Sequence, residues 1–288
     1  MDKPKLHPLL AEHRIFLSAG VYDVLSAKLA ERAGFPAVVL TGFGAAASYL
    51  GEPDFGLLTQ TEILDIARRV CRAVKIAVMV DGDTGYGSAL NVIRMVNELV
   101  AMGARGIILE DQTWPKRCGH MRGKSVIPWE EHAQKIRAAK EARGEQTSFL
   151  IIARTDARAP LGLDEAIRRG RAYREAGADL IFVEAPETVE EMRRIVKEVP
   201  GPLVVNMIEG GRTPLLSLEA CHEMGFVNVG YVLTGIFAAA RALEDAYRHL
   251  LACGTSAGLE DRLMSFQDFT SLLGLQQKYA LDEKFRAG

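Results

Sequence analysis

The 288-residue chain has almost no net charge, few cysteines and no long apolar run, and each of these shortages excludes a class of protein. Lys and Arg number 35 against 37 Asp and Glu, a formal balance of −2. With no sustained basic run either, there is no positive field to hold nucleic acid or an anionic membrane, since both attractions rest on summed positive charge. The four cysteines, Cys71, Cys118, Cys221 and Cys253, stand far apart, without a CxxC or a Cys/His pair at zinc-finger spacing. They read as reduced thiols of a cytoplasmic protein. No stretch approaches the ~18 apolar residues that span a bilayer, and MDKPKLHPLLAEHRIF, broken by charges, lacks the apolar core of a signal peptide. Linker-like, low-complexity and repeated segments are missing too.

What the chain does contain is a recurring pair of patterns. Eight short runs rich in Val, Ile and Leu read as strands buried on both faces: Ile15–Ala19, Ala37–Thr41, Ile76–Val80, Gly106–Glu110, Phe149–Arg154, Leu180–Glu184, Leu203–Asn206 and Val227–Tyr231. A helix-forming segment follows each: Val21–Ala33, Gln60–Ala73, Ser88–Met102, Glu130–Ala142, Leu163–Ala176, Val189–Val199, Leu218–Met224 and Thr234–Leu251. Several end in a Gly that introduces the next strand, as a left-handed cap requires. Eight such units predict an α/β fold of the (β/α)₈ barrel type over residues 1–257. An open doubly wound sheet is the rival arrangement. Residues 258–288 form an amphipathic helical tail with Leu263, Phe266, Phe269, Leu272 and Leu273 on its stripe, which needs an apolar partner surface.

In a barrel of this kind the chemistry sits at the C-terminal strand ends. Strand three runs into Asp81-Gly82-Asp83 and strand four into Glu110, bringing carboxylates to one corner. Packed carboxylates repel unless a cation compensates, and an oxygen-only set suits Mg²⁺ or Mn²⁺, so Asp81, Asp83 and Glu110 are candidate metal residues. The competing reading is a Gly-rich turn whose Asp side chains satisfy local amides. Strand five ends in Arg154, suited to binding a carboxylate through two parallel contacts or to pairing with Glu184 at the end of strand six. Strand seven ends in Asn206, with Glu209 close behind. After strand four, WPKRCGHMRGKSVIP surrounds Cys118 with Lys116, Arg117, His120, Arg122 and Lys124. Cationic neighbours lower a thiol's pKa, and Gly119 and Gly123 permit the turns of a lid.

Three other signals carry little. Gly42-Phe43-Gly44 after strand two imitates a dinucleotide fingerprint, but the acid that motif needs about 20 residues on is missing. No strand holds a Lys for a Schiff base. His7, His13, His132, His222 and His249 lie in the N-terminal segment or in helices and read as surface or packing residues.

The segments TGFGAAAS, VDGDTGYG, LEDQTWPKRCGH, IIARTDA, VEAPE and NMIEGGRTPL together resemble the isocitrate lyase/phosphoenolpyruvate mutase superfamily over about residues 15–240. The likeness is strongest to its 2-methylisocitrate lyase, 2-alkylmalate lyase and carboxyphosphonoenolpyruvate phosphonomutase subgroup. This resemblance implies a Mg²⁺ or Mn²⁺ site with Asp81 as direct ligand and Asp83 and Glu110 holding the metal's waters. Asp54 and Lys116 would stand nearby. Tyr22, Thr41, Gly42 and Phe43 would cradle a substrate carboxylate. Arg154, Glu184, Asn206, Gly119 and His120 would complete the substrate site, and Cys118 would exchange a proton with the enolate carbon. It further implies a homotetramer, a dimer of dimers that exchanges the last helix. The expected activity is lysis of a 2-hydroxy di- or tricarboxylate, with the carboxyphosphonate isomerase, an oxaloacetate hydrolase and a non-catalytic barrel as rivals.

Overall fold

Alternation along the strands decides which side chains enter the interior, because successive residues of a strand point to opposite faces. In the computed structural model, which describes residues 8–12 and 14–286, eight parallel strands close into a barrel in chain order. They are β1 (Phe16–Val21), β2 (Ala37–Leu40), β3 (Ala77–Asp81), β4 (Gly106–Glu110), β5 (Leu150–Thr155), β6 (Leu180–Val183), β7 (Leu203–Asn206) and β8 (Asn228–Tyr231). β8 closes the ring against β1, with Phe16 beside Asn228. One set of alternating residues, including Val39, Met79, Ile108, Ile152, Phe182 and Val204, forms a core inside the barrel, and Leu9 joins it from the short helical turn Pro8–Glu12. The other set, including Val38, Val80, Leu109, Ile151, Ile181 and Val205, forms a second core with the helices.

Those helices are α1 (Val24–Arg32), α2 (Gln60–Ala73), α3 (Ala89–Ala101), α4 (Trp129–Arg143), α5 (Leu163–Ala176), α6 (Val189–Glu198), α7 (Leu218–Met224) and α8 (Thr234–Cys253). α2 starts at a capping box in which Thr59 and Glu62 satisfy each other's amides. Gly177 and Gly225 end α5 and α7 with left-handed backbone, as the glycine-before-strand pattern predicts. Val21, read from the sequence as the start of a helix, ends β1, the helical turn Arg158–Leu161 lies outside the helices the sequence marks, and a third segment departs further. Gly42–Ala45 makes a helical turn that widens into a π-helix at Ala46–Leu50. Two glycines and a wide turn leave no 3.6-residue period to read.

The chain forms two compact units, one up to Ile236 and one from Phe237. In the second, Arg262 pairs with Asp245 at 3.2 Å. Two helices follow there, α9 (Phe266–Leu272), capped by Ser265, and α10 (Leu275–Phe285). α8, which begins in the first unit, buries none of its residues. Among the described residues, no helix is long and apolar enough to cross a membrane. His7 and His13 lie outside the described residues.

Candidate active site

Two residues above the interior layer, the same alternation points Thr41, Asp81, Glu110, Arg154, Glu184 and Asn206 into the mouth of the barrel. All six line one pocket, together with Phe43, Asp54, Lys116, Cys118, Gly119 and His120. Val39, Ile108, Phe182, Ile208, Val232 and Leu233 add apolar surface to its lining. Gly42 and Asp83 stand directly behind: a Cβ on Gly42 would come within 3.2 Å of carboxylate oxygens of both Asp81 and Asp83. Tyr22 is not on this wall. Its amide bonds Ser26 at 3.0 Å in the turn that starts α1, and its side chain lines a separate cleft with Ser48 and Tyr49.

At the carboxylate corner the DGDTGYG turn uses its first Asp to satisfy nearby amides. Asp81 accepts the Gly42 amide at 3.1 Å on one oxygen and the Asp83 amide at 3.2 Å on the other. A carboxylate oxygen has two lone pairs, so each keeps acceptor capacity toward the pocket. Asp83 adopts φ 46°, a left-handed conformation uncommon for a non-glycine residue, and faces Lys116 Nζ at 2.6 Å. Lys116 also binds Asp54 at 2.7 Å. Burial pushes the Asp83 carboxyl up to about 6 against the pull of Lys116, and Asp81 adds repulsion. Glu110 is 2% exposed, and burial drives its carboxyl well above the usual range in spite of Arg154 at 3.3 Å. Its Oε1 has no hydrogen-bond partner.

Among the described residues, no three His, Cys, Asp or Glu side chains converge as direct ligands of one ion. The donor set nevertheless fits a hard divalent cation bound directly by one carboxylate and through waters to others. It is oxygen only, Glu110 Oε1 is buried without a hydrogen-bond partner, and burial makes the Asp83 and Glu110 carboxyls resist ionisation, which a bound cation would offset.

On the opposite wall, Arg154 is held by three carboxylates. Asp156 grips it on Nε at 2.8 Å and Nη2 at 3.1 Å, and Glu184 takes Nη1 at 3.1 Å. Glu110 is the third. The Arg154–Glu184 pair anticipated from the strand ends is thus present. Glu184 also faces His120 Nε2 at 3.0 Å, while His120 Nδ1 accepts the Arg212 amide at 2.9 Å. Asp156 was not singled out from the sequence, although it sits two residues from Arg154. Its amide bonds Asp111, a buried carboxylate that also accepts Thr155 Oγ1, Tyr173 Oη and Arg169.

The loop after β4 covers this mouth. Gln112 fastens it by accepting the Arg117 amide at 3.0 Å and donating to the Arg117 carbonyl at 2.7 Å, and the Cys118 amide donates to the Asp54 carbonyl. The expectation that loop cations lower the Cys118 pKa is corrected: burial pushes the thiol up to about 11. Lys116 and Lys124 face carboxylates, Arg117 bonds the Arg122 carbonyl, and Asp54 and Glu184 act on the sulfur as negative neighbours. Cys118 is a protonated thiol facing the pocket, fit to donate a proton rather than to attack as thiolate.

Residues 6–251 match the Phosphoenolpyruvate phosphomutase family. The chain is 48% identical to the petal death protein of Dianthus caryophyllus over 285 residues, covering 99% of this chain and 89% of that protein. It is 46% identical to the chloroplastic carboxyvinyl-carboxyphosphonate phosphorylmutase of Arabidopsis thaliana, covering 98% and 84%. The crystal structure of 2,3-dimethylmalate lyase superposes with a TM-score of 0.89 at 33% identity, covering 98% of this chain and 96% of that one. With the family matched over residues 6–251 and the whole barrel alike, the chain belongs to the phosphoenolpyruvate phosphomutase family of the isocitrate lyase/phosphoenolpyruvate mutase superfamily.

Proposed function

We propose that this protein is a Mg²⁺- or Mn²⁺-dependent carbon–carbon lyase that cleaves a 2-hydroxy di- or tricarboxylate of the 2-methylisocitrate or 2-alkylmalate type. The products are a 2-oxo acid and a second carboxylate. The observation that carries the reading is Cys118: a protonated thiol lines the same pocket as the carboxylate corner and Arg154. A lyase of this kind needs an acid for a carbanion on the side of the substrate away from its metal-binding end.

Asp81 would hold the metal directly, with Asp83 and Glu110 on its waters and Lys116 and Asp54 bracing Asp83. When bound, the cation supplies charge that acidifies the 2-hydroxyl of the substrate, as it does for water. Thr41, Phe43, His120 and Asn206 would orient the substrate, and Gly42 would set the position of Asp81. The hydroxyl gives its proton to a carboxylate of that corner, the C2–C3 bond breaks, C2 becomes a carbonyl and the electron pair remains on C3 beside its carboxylate. Arg154, oriented by Glu184 and Asp156, stabilises that carboxylate as charge builds on it. Cys118 Sγ then delivers a proton to C3. The loop above, seated closely through Gly119, keeps bulk water from the carbanion.

The likeness to the phosphorylmutase supports a second reading, isomerisation of a carboxyphosphonate, in which no carbanion is protonated. A panel of 2-alkylmalates, 2-methylisocitrate, oxaloacetate and a carboxyphosphonate, followed by 2-oxo acid release and mass spectrometry, separates the cases. Release of pyruvate or another 2-oxo acid from a 2-hydroxy acid is the expected result; turnover confined to the phosphonate, or to oxaloacetate, would replace the lyase reading.

A further inference from the structure

One cation of the covering loop has no part in the chemistry above. Lys124 is an exposed-loop residue by sequence position, yet its side chain is only 1% exposed. Its Nζ donates to Asp156 Oδ1 at 2.8 Å and also to the carbonyl of Gly119, next to Cys118. The same Asp156 carboxylate grips Arg154 on two nitrogens. Lys124 therefore joins the loop backbone beside the thiol to the carboxylate that aims the guanidinium.

The charge count explains why this contact has a direction. Glu110, Asp156 and Glu184 share one guanidinium, and all three are buried. Three buried carboxylates around a single cation are undercompensated, and a second cation placed there gains more than it would on the surface. In the seated loop Lys124 supplies that second cation. Seating is also demanding at Gly119, where a Cβ would fall 2.4 Å from Arg154 Nη2 and 2.5 Å from Glu184 Cγ. Loop, lysine and arginine thus fit together in one arrangement.

We propose that Lys124 and Asp156 form a latch that holds the loop of residues 113–127 closed and, through Asp156, couples that closure to the orientation of Arg154. Both are positioning residues. The inference rests on the lyase reading only where it is measured by turnover; the latch itself is read by hydrogen exchange, which needs no substrate. Lys124→Met should fold, because Asp156 remains paired with Arg154 through both of its oxygens.

The test compares wild type, Lys124→Met and Lys124→Arg with Mg²⁺ present. In Lys124→Met the Arg117, Cys118 and Met121 amides, all hydrogen-bonded in the seated loop, should exchange at least about tenfold faster. kcat/KM should fall by at least the same factor, and Lys124→Arg, which keeps the charge, should recover most of both. Wild-type exchange in Lys124→Met would overturn the latch. Faster exchange with unchanged kcat/KM would overturn the coupling to Arg154. If wild type cleaves no 2-hydroxy acid, the lyase reading fails, and the exchange rates alone decide the latch.

Discussion

At the scale of single residues, burial overrules the sign of neighbouring charge. Cys118 lies in a run of cations, yet the thiol is pushed up to about 11, so it stays protonated throughout the neutral range. Cys118→Ser substitutes a much weaker acid, and kcat on the best 2-alkylmalate or 2-methylisocitrate should drop by at least ~10²-fold with KM little changed. An unchanged kcat would assign the proton to another group. Asp81→Ala should abolish turnover with the far-ultraviolet circular dichroism intact, and chelation of wild type should do the same; full activity in excess chelator would remove the metal from the mechanism.

His132 gives a pH-dependent case of the same rule. Burial, with Lys135 and Arg169 close by, depresses it to about 3 from an ordinary 6.5. Its folded pKa lies below the unfolded one, so its stabilising effect is complete above about pH 6.5 and is lost progressively as pH falls toward 3. Each pH unit in that window costs about 1.4 kcal/mol. Asp83, raised to about 6, acts in the opposite direction below that pH. The informative quantity is therefore the difference between urea midpoints of wild type and His132→Phe from pH 7 to 5. The variant should lose less stability on acidification, and parallel curves would mean that His132 titrates normally.

At the scale of elements, the β4–α4 loop is precise because its backbone, not only its side chains, contacts the site. Gly119 shows this most directly. Gly119→Ala places a methyl where Arg154 and Glu184 already stand, so the loop cannot seat. kcat/KM should fall about 100-fold or more, since a misplacement of about 1 Å is enough for that. The melting temperature should barely move, because no core contact is lost. Activity near wild type would mean that the loop seats differently when substrate is bound.

At the scale of the whole molecule, the apolar surface from α8 onward needs cover. Leu251 is 90% exposed, Phe266 84% and Phe285 74%. Isolated apolar residues on a surface are ordinary, but a succession along three helices is what an association surface would require. Sedimentation should give a homotetramer, or at least a dimer, and deletion of residues 258–288 should lower the mass or cause aggregation. A full-length monomer of unchanged stability would end the idea of helix exchange.

Much of this architecture was written in local pattern. Gly106–Glu110, Leu203–Asn206, Gln60–Ala73, Leu163–Ala176 and Leu218–Met224 have the bounds that periodicity predicts, because apolar runs and glycine caps act over a few residues. The strand-end residues Asp81, Glu110, Arg154 and Asn206 were legible for the same reason, since a period of two carries an inward-facing position from core to mouth. Tertiary structure decided what those residues meet. Tyr22 turns to another cleft, Lys124 reaches Asp156 across 32 positions of sequence, and Cys118 holds its proton although cations precede and follow it. Desolvation and ion pairing depend on distance and enclosure in three dimensions, which no linear spacing encodes.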